Sequence, residues 1–406
     1  MNLRKGLIYS KTVLGIFHGN RAYGPPLEVN IALSNRCNVR CIHCYFHSPE
    51  IETSNLFKLR MEMHKEFFND EQKSWKGMDA DPDKVRSVIE KLADLGTQRF
   101  LFSGNGEPLI HPQFLMFAGL VKGRGARGLL NTNGLLLTPD TSEALIDMRF
   151  DILRVTTMAG SPEMYAVTHP GTPEKTFAEL KRNLMFLAEK KASMGISKPK
   201  INLVCVVIAQ NSGGLLDFVR FAAETKADGV LFRPFSDIGD SGLSRLAPDS
   251  DQLEDVRRQV IEARSFLDSR GMSHNIDFYP QIFREKLDTS SLYRYIPCVY
   301  PWLAARIEIN GLVFPCCRSY SPLGNCFDKD IKDIWFGEKY QKIRGEAKHI
   351  HKLKKDVSGC DCGNCPHYTA NLKVFRMLHP LKACSEGFKN MPFPLQKKGD
   401  MEWGGE

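Results

Sequence analysis

The sequence predicts an α/β fold: a partial (β/α)6 TIM-like barrel followed by a small cysteine-rich C-terminal domain. Three observations carry this. Short apolar runs alternate six times with helical patterns between Leu27 and Phe232. The alternation fades from about Asp249. The 12 cysteines then fall into two groups, at 37–44 and at 298–384, with Cys205 alone between them.

Leu27 to Leu33 is predicted as the first strand, running into a loop that carries Cys37, Cys41 and Cys44. The charged segment Leu56 to Met78, with its Met and Phe residues, suggests an inserted helix or flap. From Asp83 to Gly96, Val85, Val88, Ile89 and Leu92 fall on one helical face, and Gly96 is a stop. Next come a strand at Arg99 to Phe102, a helix at Phe114 to Leu120, a strand at Gly128 to Asn131 and a helix around Ser142 to Met148. A strand at Ile152 to Thr157 leads to a long helix from Pro173, striped by Phe177, Leu180, Leu184 and Leu187. Strand Ile201 to Ile208, helix Leu215 to Thr225 and strand Gly229 to Phe232 complete six units. Such units imply parallel strands with right-handed crossovers, and chemistry on the loops at the strands' carboxyl ends. Beyond them a helix at Gln252 to Asp268 precedes a short strand near Ile276 to Tyr279. Ala305 to Phe314 is a hairpin, because Asn310-Gly311 supplies the positive φ angles of a tight turn. The expected division is an N-terminal extension at 1–26, the barrel at 27–280, a ligand-bearing domain at 281–389 and a flexible tail at 390–406.

Composition bounds the function. Hydrophobic residues make up 42% and charged residues 25%, and no apolar run approaches the roughly 18 to 20 residues of a membrane span. The first ten residues lack an apolar core and a cleavage site, so the expected location is the cytosol. A net charge of +8, from 55 basic and 47 acidic residues, is mild and demands no nucleic acid. The basic run Lys339 to Lys355 suggests a solvated helix face before it suggests a contact for phosphate or an acidic carrier. Twelve cysteines in a long chain of this kind favour metal or cluster ligation over disulfides.

The C-x3-C-x2-C spacing of Cys37, Cys41 and Cys44 lets one loop bind three corners of a four-iron four-sulfur cluster, leaving one iron open. A zinc site completed by His43 or His47 is the structural alternative. This loop, following the first strand, resembles that of the radical S-adenosylmethionine (SAM) enzymes, and the resemblance covers about Leu27 to Phe235. Many relatives carry an aromatic residue just before the third cysteine, where this chain has His43. After the second strand, Ser103-Gly104-Asn105-Gly106-Glu107-Pro108 resembles the family's GGEP segment, which contacts the methionine amino group of SAM. Gly104 and Gly106 would admit the ligand to the backbone and Glu107 would offer a carboxylate to the ammonium. Asn131 and Asn133, in Asn131-Thr132-Asn133-Gly134, match a "TNG" segment near the cofactor. Thr157 ends strand four where relatives place a hydroxyl, and Arg233 after strand six is a further SAM candidate. The resemblance implies a SAM-binding 4Fe-4S cluster, reductive SAM cleavage to a 5′-deoxyadenosyl radical, and hydrogen abstraction from a substrate.

In the second group Cys298 and Cys316 are spaced C-x17-C, and Cys362 and Cys365 C-x2-C. Together they suffice for an auxiliary 4Fe-4S cluster, with a zinc ribbon as the alternative. Gly311-x4-Cys316, Leu323-Gly324-Asn325 and Ile334-Trp335 resemble the SPASM and "twitch" extensions of radical SAM enzymes. The full SPASM run C-x2-C-x5-C-x3-C is incomplete, because Asn371 and Phe375 hold its later positions. One auxiliary cluster is therefore expected. Cys317, Cys326, Cys360 and Cys384 remain as competitors, spare thiols or ligands of a second cluster.

The resemblance implies an iron–sulfur enzyme of oxidoreductase or epimerase type, reduced by a partner such as flavodoxin or ferredoxin. The substrate expected first is a polar small molecule or carbohydrate, oxidised or epimerised at an alcohol carbon. The single auxiliary cluster and the Ala159 to Gly171 segment favour it. A peptide- or protein-maturing enzyme is the alternative, followed by a metal-binding redox scaffold without SAM chemistry. Tyr165 and His169, on the loop after strand four, are candidates for a proton acceptor and a substrate contact. Cys205 or Cys326 is the candidate hydrogen donor if the reaction is an epimerisation.

Overall fold

The computed structural model describes residues 3–49, 68–69, 74–75, 77–235, 242–276, 293, 295–353, 355–363 and 365–379. Along the chain the strands are β1 (Glu28–Ile31), the ribbon strands β2 (Phe68–Asn69) and β3 (Ser74–Trp75), β4 (Arg99–Phe102), β5 (Arg127–Thr132), β6 (Ile152–Thr156), β7 (Lys200–Val207), β8 (Gly229–Pro234), β9 (Ser273–His274), β10 (Ala304–Ile307), β11 (Leu312–Phe314) and β12 (Gly324–Asn325). Two compact units result. Met1–Ile31, Asp81–Arg99 and Lys286–Glu406 form one, and Ala32–Ala80 with Phe100–Glu285 form the other.

The second unit is the α/β body. Strands β4 to β9 neighbour one another in sequence order, and the pairs from β5 to β9 are parallel. The short strand expected near Ile276 to Tyr279 forms at Ser273–His274 instead, and 277–279 lie outside the described residues. Side chains alternate across the sheet. Phe102, Leu130, Leu153, Leu203 and Phe232 are all but fully buried on the helix side. There Phe102 meets Phe114 and Phe218 meets Phe232 with ring centroids 5.5 Å apart. The other face starts with Leu101, Leu129 and Ile152, which pack together. It then turns polar, where register sets Asn131 beside Arg154 and Arg154 beside Asn202. A parallel sheet buried on both faces has little reason to carry polar residues there unless that face holds something.

Two carboxylates tie down the amino ends of the strands. Asp151, 2% exposed, accepts hydrogen bonds from Lys122, Lys198 and the Gly128 N–H. Asp228 does the same for Lys191, Lys200 and the Ile201 N–H. Burial pushes both carboxyls up, but the lysine and backbone hydrogen bonds outweigh it and hold them below the ordinary range.

In the first unit the sheet order is β12, β11, β10, β1. The predicted hairpin forms as β10 and β11, antiparallel about Gly311 at φ +84°. A Cβ at Gly311 would also lie 2.4 Å from the Asn325 amide oxygen, so glycine is required twice over. Sequence reasoning did not foresee the partner of β1. It pairs in parallel with β10, in the register Glu28↔Ala304 to Ile31↔Ile307, almost 280 residues downstream. Nor did it foresee that the N-terminal extension holds a helix, Leu3–His18, which buries Ile8, Thr12, Gly15 and Ile16. The Trp302 indole N–H donates to the Arg21 carbonyl at 2.8 Å beside it. The Pro82–Leu95 helix is as predicted. Asp81 caps the Asp83 and Lys84 N–H groups, Gly96 at φ +104° ends it, and Val85, Val88, Ile89 and Leu92 face inward.

The inserted helix or flap expected over Leu56 to Met78 lies mostly outside the described residues, within which β2 pairs antiparallel with β3. The tail at 390–406 lies outside them altogether. Among the described residues no helix is long and apolar enough to cross a membrane.

Candidate functional site

The loop after β1 brings Cys37, Cys41 and Cys44 together within the α/β unit. Burial raises all three thiols, Cys37 to about 12, and each further resists ionisation when a neighbouring sulfur of the set is charged in the cases of Cys37 and Cys41. Three clustered thiols in that setting become thiolates only if a cation binds them, which is the donor chemistry an iron–sulfur cluster needs. The loop already shields one of them. The Phe46 and His47 N–H groups point to the Cys44 sulfur at 3.5 and 3.4 Å. The Ser48 hydroxyl closes the turn on the Ile42 carbonyl at 2.6 Å.

The Gly104 to Pro108 segment packs against this loop so closely that its glycines cannot be replaced. A Cβ at Gly106 would lie 2.2 Å from the Arg36 carbonyl oxygen, and one at Gly104, where φ is +156°, 2.5 Å from the Ala32 Cβ. The Glu107 N–H donates to the Arg36 carbonyl at 2.8 Å, and the His47 ring meets the Asn105 carbonyl at 2.9 Å. Gly104, Asn105 and Gly106 thus lie against the first cysteine loop.

The Glu107 carboxylate is engaged within the protein. One oxygen accepts from the Leu109 N–H at 3.1 Å and the Thr132 hydroxyl at 2.7 Å, the other from the Asn133 N–H at 2.8 Å. The side chain therefore clamps its own turn to the loop after β5. Burial raises its ionisation to about 7, although these three donors oppose the shift. Asn133 in turn donates to the Asn38 amide oxygen at 2.6 Å, closing a circuit of three loops.

Other predicted positions have unspent polar atoms. The buried Asn131 amide oxygen has no partner among the described residues, though its nitrogen donates to Ser103 at 3.0 Å, and the buried Thr157 hydroxyl has none either. Arg233 is half-buried on β8, in register with Val206.

The structure buries two of the catalytic candidates beside the cysteine loop. Tyr165 and His169 belong to the Pro162–Thr168 helix and its end, capped by Ser161. They are 2% and 0% exposed and stack at 4.1 Å. The helix end is bound to the cysteine loop, since the Ile42 N–H donates to the Thr168 carbonyl at 3.1 Å. Burial holds His169 neutral, lowering it to about 3, and pushes the Tyr165 hydroxyl up. Their placement on a loop is thereby corrected to packed core, with the Tyr165 hydroxyl and the His169 Nε2 unpartnered among the described residues. Cys205 is likewise corrected. It shares the helix-facing side of the sheet with Phe232, and the Asn211 amide donates to it at 3.6 Å from that side. Cys326 sits beside the β10–β11 turn, its N–H on the Gly311 carbonyl, and is buried enough to be raised to about 12.

In the first unit, one pocket is lined by Cys298, Cys316, Cys362 and Cys365, the four predicted auxiliary ligands, and by Cys360. A hydrogen bond joins Cys316 to Cys360; it lowers Cys316 and leaves the shared proton on Cys360. Cys317 faces the His367 ring at 3.2 Å instead. Cys384 lies outside the described residues. Among the described residues no three His, Cys, Asp or Glu side chains converge on a point suited to one metal ion. A cubane asks for a different arrangement, with each sulfur on its own iron. Tyr293 and Asn371 also belong to this centre and were missed as participants, because a lone tyrosine carries no sequence signal. Tyr293 meets the Cys365 sulfur at 3.0 Å.

Comparison with known proteins finds two family models on this chain. The radical SAM superfamily model matches residues 31–196, and the model of the iron-sulfur cluster-binding SPASM domain matches 298–366. The chain is 25% identical over 351 residues to the tungsten-containing aldehyde ferredoxin oxidoreductase cofactor-modifying protein of Pyrococcus furiosus, covering 79% of this chain and 83% of that protein. It is 24% identical over 352 residues to PqqA peptide cyclase of Ruegeria pomeroyi, covering 83% of each. In fold it is similar to Streptococcus suis SuiB bound to precursor peptide SuiA, with a TM-score of 0.59 at 18% identity over 87% of this chain and 75% of that one.

Proposed function

Since this chain belongs to the radical SAM superfamily and carries a C-terminal SPASM domain, we propose that it matures a peptide or protein, oxidising or cross-linking side chains. The observation that carries this is similarity along 83% of the chain to a peptide cyclase. It corrects the expectation of a sugar or polyol substrate, and with it the expected small-molecule or carbohydrate partner. That expectation leaned on the Ala159 to Gly171 segment, whose Tyr165 and His169 are buried core.

The enzyme's cofactors are a SAM-binding 4Fe-4S cluster, auxiliary iron–sulfur and SAM. Bound together, they supply one-electron cleavage of SAM and a 5′-deoxyadenosyl radical. Cys37, Cys41 and Cys44 would hold the first cluster. The backbone of Gly104, Asn105 and Gly106 would receive the methionine end of SAM, held at the right height by Glu107. Asn131, Asn133, Thr157 and Arg233 stand to orient the rest, the first and third with buried oxygen atoms still unpaired. Cys298, Cys316, Cys362 and Cys365 would hold one auxiliary cluster, and the Cys360 thiol stays beside Cys316 as a hydrogen-bond donor. The described residues hold no membrane-spanning helix, and the reading places the enzyme in the cytosol with a flavodoxin- or ferredoxin-type reductant.

The test is anaerobic turnover. Reconstituted enzyme with SAM and dithionite is given a pool of short synthetic peptides on one side and sugars and cyclitols on the other. The proposal expects 5′-deoxyadenosine and a peptide lighter by two hydrogens. Turnover of a polyol, with every peptide unchanged, would overturn it.

A further inference from the structure

Asn371 stands where the full SPASM pattern carries a cysteine, six residues beyond Cys365. It is fully buried, and each of its polar atoms is committed. Its amide oxygen accepts from the Val299 N–H at 2.6 Å, beside Cys298. That requirement fixes which end of the amide is which, since only the oxygen can accept. Its nitrogen must then be the donor to the His367 carbonyl at 3.1 Å and to the Tyr293 hydroxyl oxygen at 2.8 Å. Tyr293 is 4% exposed, and the same oxygen is 3.0 Å from the Cys365 sulfur. The Asn371 N–H takes one lone pair of that oxygen and leaves the hydroxyl proton free, and either Tyr293 or Cys365 could donate while the sulfur is a thiol. A cluster ligand is a thiolate, which can only accept.

We propose that Asn371 and Tyr293 form a fixed donor chain to Cys365 that raises the reduction potential of the auxiliary cluster. A ligand position of the full pattern has thus been turned into a positioning residue for a ligand that remains. Hydrogen bonds to a ligand sulfur stabilise negative charge added to the cluster, so the reduced form gains relative to the oxidised form. The chain is buried and preorganised, so its effect is little screened by solvent. It suits a centre that takes up an electron released when a substrate side chain is oxidised. The inference rests on the reading of Cys365 as an auxiliary ligand.

Potentiometric titration followed by EPR tests it, on full-length protein with both clusters reconstituted. Tyr293→Phe removes one oxygen and should keep its iron and sulfide while the auxiliary midpoint potential moves down and that of the SAM cluster stays. An unchanged auxiliary potential overturns the proposal. Should Tyr293→Phe lose its auxiliary iron, 3-fluorotyrosine placed at position 293, a stronger donor of the same shape, must move the potential up, and no movement overturns it. Cys365→Ser separates the premise from the inference. If this variant keeps wild-type iron content and EPR spectra, the ligand assignment has failed, and the donor chain with it.

Discussion

Gly106 shows how narrow the tolerances are around the first cysteine loop. The Arg36 carbonyl oxygen occupies the place of its Cβ, and carbonyl oxygens of a loop that must also present three thiols cannot retreat. Gly106→Ala should displace that loop, and an iron assay should find most of the SAM cluster lost with the auxiliary cluster retained. Glu107 tests a subtler point. Glu107→Gln keeps an acceptor for Thr132 and Leu109 but sets an amide NH2 against the Asn133 N–H. An unsatisfied buried donor costs about 1 to 3 kcal/mol, and the loop after β5 is the one that moves. SAM affinity by equilibrium dialysis should fall by about tenfold or more, with folding retained. Unchanged affinity would show that the clamp does not position the SAM site. At this scale the spacing of Cys37, Cys41 and Cys44 and the Gly104 to Pro108 segment were legible in the sequence. The uses of Glu107 and Tyr293 were not, because a side chain's partner is chosen by loops far away in sequence.

At the scale of elements, the strands carry their own chemistry at both ends. Asp151 anchors the amino ends of β5 and β6 with two lysines and a backbone N–H. Its ionisation is lower in the folded than in the unfolded chain, so its contribution is present above the unfolded value near 4 and is lost as pH falls through the lower, folded value. Asp151→Asn should therefore cost about 1 to 3 kcal/mol at pH 7. The deficit against wild type should shrink in urea titrations run below about pH 4. A constant deficit at both pH values would assign the loss to packing. The Pro82–Leu95 helix offers a simpler case. Asp81→Ala removes the acceptor for two N–H groups and should cost about 1 kcal/mol. That helix was readable because cap, apolar stripe and glycine stop all lie within sixteen residues. The Pro162–Thr168 helix reads as a loop in the sequence, since seven residues give too few turns for a period to show.

For the whole molecule, iron is the plainest measure. Two cubanes require about eight irons per chain. Replacing Cys37, Cys41 and Cys44 together should leave about four, with the auxiliary EPR signal intact. Replacing Cys298, Cys316, Cys362 and Cys365 should leave the complementary signal. If Cys360 and Cys317 supported a second auxiliary cluster, wild type would exceed eight, contrary to expectation. A peptide that loses two hydrogens with release of 5′-deoxyadenosine completes the account.

The sequence alone determined the alternation of strands and helices, the hairpin at Gly311 and the grouping of the cysteines along the chain, because each is written in short-range spacing that backbone geometry converts directly into shape. Tertiary structure alone decided that β1 pairs with β10, that Tyr165, His169 and Cys205 are packed core, and that Asn371 and Tyr293 reach Cys365. Those outcomes depend on which distant segments bury one another's surfaces and satisfy one another's polar atoms, a choice made by the whole chain at once.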